Sequence, residues 1–490
     1  MNKLANWVKE NYTGRDVIVA LQHMITMIGG TVLVPLTCGM NISITMLCAG
    51  IGTILFFFIS QKKVPVFLGS SFAFLGAYTS IMGTGLAEYN AANGTAYTVS
   101  NMVNNFANAE IYDLWCRNMG KLAVALWFAG LMYVIFSFII KAVGVEKIKK
   151  VFGPTVVGPV VMLIGFTLCQ SMFTNDIVSQ VGVNGATSFQ VWSTAVITMA
   201  TILAVNGFCK NKGFSSILKI MPIICGFVVG TVWAVIIGYP LVPKFSGSVV
   251  IFQDIFCEKS LLGFWRYITI DGNALLQVLP VALVSMMEHM GDISANSIAC
   301  GKDFLVDPGV NKTIMGDGVA TAFAGLLGGP SNTTYSENTA ILTMTQNFKP
   351  TTVLLAAVFA LILGIFVPFA EVVMAMPSPV IGGASVVLFG MISASGLRTL
   401  IENKIDLGKT KNLIVVSFTL ACGLGFSAIG GIHIGDIEIS PLCIATIIAI
   451  LLNLIIPDYD KKEDKNTVVA TGTPVNNDLP TEETIENTEE

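Results

Sequence analysis

Charge is the scarcest property of this chain. Only 12% of its 490 residues are Asp, Glu, Lys or Arg, and histidine occurs three times. The net charge of −4 traces to an acidic C-terminal tail and points to no nucleic-acid partner. The ten cysteines are scattered through apolar segments with no CxxC pair and no metal-ligand spacing, so neither a metal nor another cofactor is expected. An HExxH, a paired catalytic-aspartate motif and a facing Ser/His/Asp group are all missing, which argues against an enzyme acting within the membrane. The opening MNKLANWVKENYTGRD runs into an apolar span without a small-residue cleavage pattern, so no cleavable secretory signal is expected.

What the chain has in quantity is apolar sequence. Hydrophobic residues make up 53% and the mean hydropathy is +0.74, a composition that places it among multi-pass membrane proteins. Apolar windows fall near 16–36, 43–60, 64–83, 120–141, 151–174, 190–208, 217–239, 274–294, 312–328, 331–347, 351–373, 377–396, 411–429 and 440–457. They predict an all-α polytopic membrane protein of fourteen transmembrane segments. With both termini in the cytoplasm, 22 of the 27 basic residues fall on the cytoplasmic side and only Arg117, Lys121, Lys244, Lys259 and Arg266 do not, as the positive-inside rule requires.

The chain also repeats itself. Gln22-His23-Met24 echoes Glu288-His289-Met290, and Pro154, Gly158 and Gly165 share their spacing with Pro379, Gly383 and Gly390. Seven spans separate the copies, an odd number, so the expectation is two inverted seven-span repeats, an organisation common among secondary transporters. The first half is longer by about the length of the polar stretch 84–119, which is expected to be an extracellular insertion.

Two windows do not read as unbroken helices. Gly328 to Gln346, GGPSNTTYSENTAILTMTQ, carries Asn332, Thr333, Thr334, Ser336, Glu337 and Asn338 inside apolar surroundings. A charge on a continuous membrane helix would cost at least ~2.5–3.5 kcal/mol. Pro330 has no amide hydrogen and disfavours helix just before it, so a half-helix starting near Tyr335 is expected, its free amides turned to the bilayer midplane. In the other window, Val64-Pro65-Val66-Phe67-Leu68 reads as a short β-prone run, with a second half-helix expected from Gly69-Ser70-Ser71. Short β-strands are thus expected to break spans three and ten and to pair in the middle of the membrane.

Each ionisable group within a span is informative. Glu288 and Asp292, four apart, share a helix face. Desolvation disfavours the charged form of a carboxylate, so such groups can carry a proton across, and symport needs only that protonation change substrate affinity. His23 and His289 are candidates for the proton network or for helix packing, and Asp317 for core support or ion coupling. His433 lies in an extracellular connection. The residues leave open a transporter, an anion channel or an anion exchanger. Glu337 at a half-helix end argues against an anionic substrate.

Gln22-His23, the GSSFAF run at 69–74, Glu288-His289, NTTYSEN at 332–338 and ASGLR at 394–398 together resemble the nucleobase/ascorbate transporter family, in particular its bacterial uracil permease branch, over about residues 10 to 457. That resemblance implies a core domain from spans one to four and eight to eleven (1–141 and 246–373) and a gate domain from spans five to seven and twelve to fourteen (142–245 and 374–457). A disordered acidic tail at 458–490 would follow. It implies uracil import by proton symport through alternating access across the cytoplasmic membrane, with xanthine, another purine or another nucleobase such as a related pyrimidine as the alternative substrate, and a homodimer joined through the gate domains. Glu288 and Glu337 would accept the ring N–H groups, backbone amides near Phe72, Tyr335 and Ser336 would meet its carbonyls, and Phe389 would close over it. His23, Glu288, Asp292 and Asn338 would form the proton-coupling network. The chain departs from the pattern at Asp292, where that branch tends to have histidine, at Ser336 in place of glycine, at Phe389 in place of tyrosine, and at Ala340 and Thr345-Gln346.

Overall fold

The computed structural model describes residues 12–95, 97–144, 147, 151, 153–209, 218–219, 221–241, 248–434 and 437–457, with backbone alone for Asn104, Ser336, Glu337, 433–434 and 437–438. The expected tail at 458–490 and the His433 side chain lie outside the described residues. Eight of the helices are long and apolar enough to cross a bilayer, and three further apolar helices are shorter.

The helix starts follow from local chemistry. α1 (Gly14–Cys38) opens with a capping box in which Thr13 and Asp16 satisfy each other's amides, and Asn41 caps α2 (Ile42–Ile59) through the Ile44 amide. After β1 (Leu68–Ser70) come the half-helix α3 (Leu75–Gly83), α4 (Leu86–Asn93) and the long α5 (Ala109–Val143), capped by Asn108. Proline supplies the pre-set first turn of α6 (Pro154–Met172), and Thr187 caps α7 (Ser188–Phe208). α8 (Pro222–Ile236) again starts on proline, and the short α9 (Ile251–Ile255) precedes α10 (Gly272–Cys300), capped by Asp271.

α11 (Val310–Leu327) leads into β2 (Asn332–Thr334) and the half-helix α12 (Ser336–Thr345). α13 (Pro350–Ile365), α14 (Val367–Met374), α15 (Ser378–Glu402) and α16 (Thr410–Ala428) follow. The hairpin of β3 (Ile432–Ile434) and β4 (Ile437–Ile439) then delivers the chain to α17 (Pro441–Ile455).

Small residues set the closest helix contacts, as expected where lipid removes the hydrophobic drive between helices. α5 and α11 meet backbone to backbone: a Cβ on Gly130 would fall 2.5 Å from the Gly318 carbonyl, and one on Gly318 would fall 2.8 Å from the Gly130 carbonyl. α6 and α15 do the same. A Cβ on Gly396 would lie 2.5 Å from the Gly158 carbonyl, and one on Gly165 would lie 2.4 Å from the Phe389 carbonyl. The repeated glycines are not used alike, however, since Gly383 faces Ala195 of α7 while Gly390 faces open space. Large apolar side chains such as Phe58, Phe138, Phe189, Leu203 and Val232 point outward, the inverse of a water-soluble surface.

Four boundaries differ from the sequence reading. The strand in the third window is Leu68–Ser70 rather than 64–68, because Pro65 has no amide to give a ladder; its carbonyl instead accepts from Asn296 at 3.2 Å and Asn338 at 2.8 Å. The half-helix after it begins at Leu75 rather than at 69–71, since Ser70 is still extended in the ladder. The stretch 84–119 contains helical turns, and its last part belongs to α5. The window 351–373 breaks at Phe366, next to Pro368, where the Val367 amide leaves the helix to bond the Val249 carbonyl at 3.1 Å.

Candidate functional site

The two interrupted windows meet. β1 and β2 pair antiparallel with Leu68 opposite Thr334, Gly69 opposite Thr333 and Ser70 opposite Asn332, and the Ser71 amide adds a bond to the Ser331 carbonyl at 2.9 Å. An unpaired backbone group in the membrane interior costs several kcal/mol, so two three-residue strands survive there only by satisfying each other. Their outer edges are closed by side chains. Thr53 Oγ1 accepts from the Leu68 amide at 2.9 Å, and Thr321 Oγ1 accepts from the Asn332 amide at 3.2 Å and donates to the Asn332 carbonyl at 3.1 Å. Asn332 Nδ2 bridges to the carbonyls of Cys48 at 3.0 Å and Ala320 at 3.3 Å, and the Ser331 amide donates to Tyr78 Oη at 2.7 Å.

Tyr335 locks the crossing. It stands between β2 and α12 in extended conformation and makes no side-chain cap, while its carbonyl accepts from the Asn338 amide at 3.2 Å. Its hydroxyl donates to the Ser70 carbonyl at 2.6 Å, and its ring lies on Gly69, where a Cβ would come within 2.6 Å. Glycine is required at 69 for this close approach. Phe72 stacks on Tyr335 with ring centroids 6.0 Å apart and planes 15° from parallel.

Beside this junction lies a cavity of about 530 Å³. One wall is formed by Thr26, Gly29 and Gly30 of α1, Phe72, Glu288 and Asp292 of α10, and Thr333 to Tyr335; the facing wall is Val161 and Ile164 of α6 with Leu388, Met391 and Ile392 of α15. Glu288 and Asp292, both half-buried, face the cavity together, and Asp292 Oδ2 accepts from Thr334 Oγ1 at 2.9 Å. The neighbouring face of α10 turns into the protein: His289 Nδ1 meets Asp317 Oδ2 at 2.7 Å, both side chains fully buried.

Of the residues singled out in the sequence, Phe72, Glu288, Asp292 and Tyr335 line this cavity. Phe389 does not line it; it is fully buried and sits edge-on to Phe72 at 6.1 Å, while its neighbour Leu388 faces the space. Asn338 is spent on the Pro65 carbonyl, with His23, also fully buried, beside it. The side chains of Ser336 and Glu337 lie outside the described residues. Sequence reasoning missed Thr26, Thr334, Lys219 and the cavity role of Arg398, although Arg398 ends one of the motifs already noted. Among the described residues no group of His, Cys, Asp and Glu is arranged to hold a metal ion.

Residues 14–431 match the model of the Permease family, that of the xanthine and uracil permeases. The uracil permease of Bacillus caldolyticus is 31% identical over 460 residues, which cover 93% of this chain and 96% of that protein. The uracil permease of Bacillus subtilis (strain 168) is 32% identical over 460 residues, covering 91% and 94%. Among solved structures, the transmembrane domain of a cyanobacterium bicarbonate transporter, BicA, superposes with a TM-score of 0.53 at 14% identity, covering 90% of this chain and 97% of that one, a likeness of fold alone. The chain belongs to the nucleobase/ascorbate transporter family, a family of permeases and not of enzymes.

Proposed function

We propose that this member of the nucleobase/ascorbate transporter family imports uracil across the cell membrane by proton symport, alternating access between a core and a gate domain. The observation that carries the reading is the convergence of Phe72, Glu288 and Tyr335 on one cavity at the junction of the two broken segments. Uracil offers two N–H donors and two carbonyl acceptors on a flat ring. Carboxylates at Glu288 and Glu337 suit the donors, backbone amides at the starts of α3 and α12 suit the carbonyls, and the Phe72 ring suits a face of the base.

In this reading the fourteen apolar windows are fourteen crossings in two inverted repeats. Each window coincides with a helix, a strand-plus-half-helix or, at 351–373, two helices broken at Phe366, and the two strand-bearing windows, seven apart, have the same build. The core comprises spans one to four and eight to eleven, the gate the rest; both termini are cytoplasmic, and two copies associate through their gates. Phe389 belongs to the gate and bears on the substrate through Phe72. Glu288 and Asp292 exchange the coupling proton, and His23 and Asn338 hold the core side of that network. Beside the strand junction, Glu288 and Asp292 favour a ring that offers N–H donors over an anionic group at that place.

Uptake of labelled uracil into cells lacking their own nucleobase permeases tests this. Uptake that stops when the proton gradient is collapsed, and that unlabelled uracil competes away better than xanthine or guanine, is the expected result. Uptake that follows sodium, or prefers xanthine, overturns the coupling or the substrate.

A further inference from the structure

We propose that the same cavity binds a second class of ligand, a pyrimidine nucleoside 5′-monophosphate, and that this ligand inhibits uracil transport from the side on which Lys219 and Arg398 stand, cytoplasmic in the topology above. The inference rests on the nucleobase reading of the cavity.

The cavity is chemically two-ended. Glu288 and Asp292 provide carboxylates beside the strand junction, and Lys219 and Arg398 line the same space with two cations. The ends are well apart. Phe389 of α15 abuts Phe72 beside the junction, and Arg398 stands nine residues further along that helix, roughly 13 Å at 1.5 Å per residue. An extended mononucleotide bridges such a span and a single ring does not. Arg398 engages Glu402 through Nε at 2.6 Å, and its side chain remains 75% exposed. Asn206 also lines the cavity, with an Nδ2 that is buried without a hydrogen-bond partner among the described residues, a donor suited to a phosphate or ribose oxygen. The volume of about 530 Å³ is that of a site for a drug-sized ligand, far more than one pyrimidine fills.

The ligand class follows from the chemistry of both ends. Attaching a sugar to a ring nitrogen removes one N–H donor, so a nucleoside loses a bond to a carboxylate and gains nothing ionic in return. A 5′-phosphate restores the balance through charge-assisted bonds to Lys219 and Arg398. The reaction that consumes an imported base by transferring a phosphorylated sugar to it produces such a molecule, so the product of that reaction would report back on supply.

Binding of labelled uracil to purified protein in detergent, with UMP, uridine, inorganic phosphate or phosphatidylglycerol as competitors, tests the proposal on the wild type and on Lys219→Gln/Arg398→Gln. UMP should displace uracil, and uridine should be weaker by about tenfold or more, the worth of one charged hydrogen bond. The double variant should lose about tenfold more in UMP affinity than in uracil affinity. The proposal is overturned if UMP binds no better than uridine, if the variant binds UMP as the wild type does, or if phosphate or phosphatidylglycerol displaces uracil as well as UMP does. Direct UMP binding, followed by thermal shift, separates the two readings. Uracil that binds while UMP does not refutes this inference alone. UMP that binds and depends on both cations, with uracil inert, refutes the uracil assignment and leaves the phosphate-binding role of Lys219 and Arg398 standing.

Discussion

Tyr335 Oη donates a hydrogen bond to the Ser70 carbonyl at 2.6 Å, joining two segments 265 residues apart in sequence at the one place where both interrupt their helices. Removing the hydroxyl leaves a buried carbonyl short of its donor and frees the Tyr335 ring. For Tyr335→Phe we expect a loss of about 1–3 kcal/mol in stability and weaker uracil binding, read by thermal unfolding in detergent and by equilibrium binding. Unchanged values in both would mean that the bond does not hold the junction.

Gly69 lies under the same ring. A methyl there would stand 2.6 Å from Tyr335 Cζ and 2.9 Å from Thr31 Oγ1, so Gly69→Ala must displace the ring, at a cost of about 1–3 kcal/mol. Gly76→Ala, in the first turns of α3 with open space at its Cβ, is the control and should behave as wild type. Uracil affinity that falls in the first variant and holds in the second is the expected outcome.

The buried pair of His289 and Asp317 predicts a strong coupling between two residues that do not line the cavity beside Glu288. Breaking a buried pair by removing one partner costs about 3–5 kcal/mol because the other is left stranded. His289→Leu should therefore destabilise more than the double variant His289→Leu/Asp317→Leu. A double-mutant cycle on unfolding temperature measures this, and additive effects would contradict it.

Asp271, the cap of α10, sits outside the helix. Burial pushes its carboxyl up, but the bond from the Ala274 amide and the Lys121 ammonium at 3.0 Å outweigh it and hold the group below the ordinary carboxylate value. A lowered folded-state value means that the contribution is present above the unfolded carboxylate range and fades as pH falls through the folded one. Asp271→Asn keeps the cap and loses the ion pair, so it should be less stable than wild type by under ~1 kcal/mol near neutral pH and match it in acid. A pH series of unfolding temperatures checks the convergence.

Much of this architecture is written locally. Apolar runs and their start signals, such as Asn41, Thr187 and the prolines at 154, 222, 350 and 441, place the helices, because capping and burial act over a few residues. The break at 331–347 is legible for the same reason: Pro330 and a polar run cannot make a lipid-facing helix. The side-by-side placement of Glu288 and Asp292 follows from helix periodicity alone. What the sequence withholds is contact between distant segments. The strand register is set by Thr53, Thr321 and Asn332, none of which signals its partner. His289 next to Asp317 depends on how α10 is laid against α11, and Lys219 on the same cavity as Glu288 depends on how the segment ahead of α8 packs.

The backbone contact between α6 and α15 has a mechanical meaning. With Gly158 against Gly396 and Gly165 against Phe389, the two helices approach backbone to backbone, and the Leu400, Ser393 and Met162 side chains fill what room is left at the same contacts. The two helices form a single plank that carries Val161 and Ile164 on one edge and Leu388, Met391 and Ile392 on the other. A side chain added at any of these glycines would push the two helices apart and so shift Val161, Ile164 and Leu388 relative to Glu288 across the cavity they share.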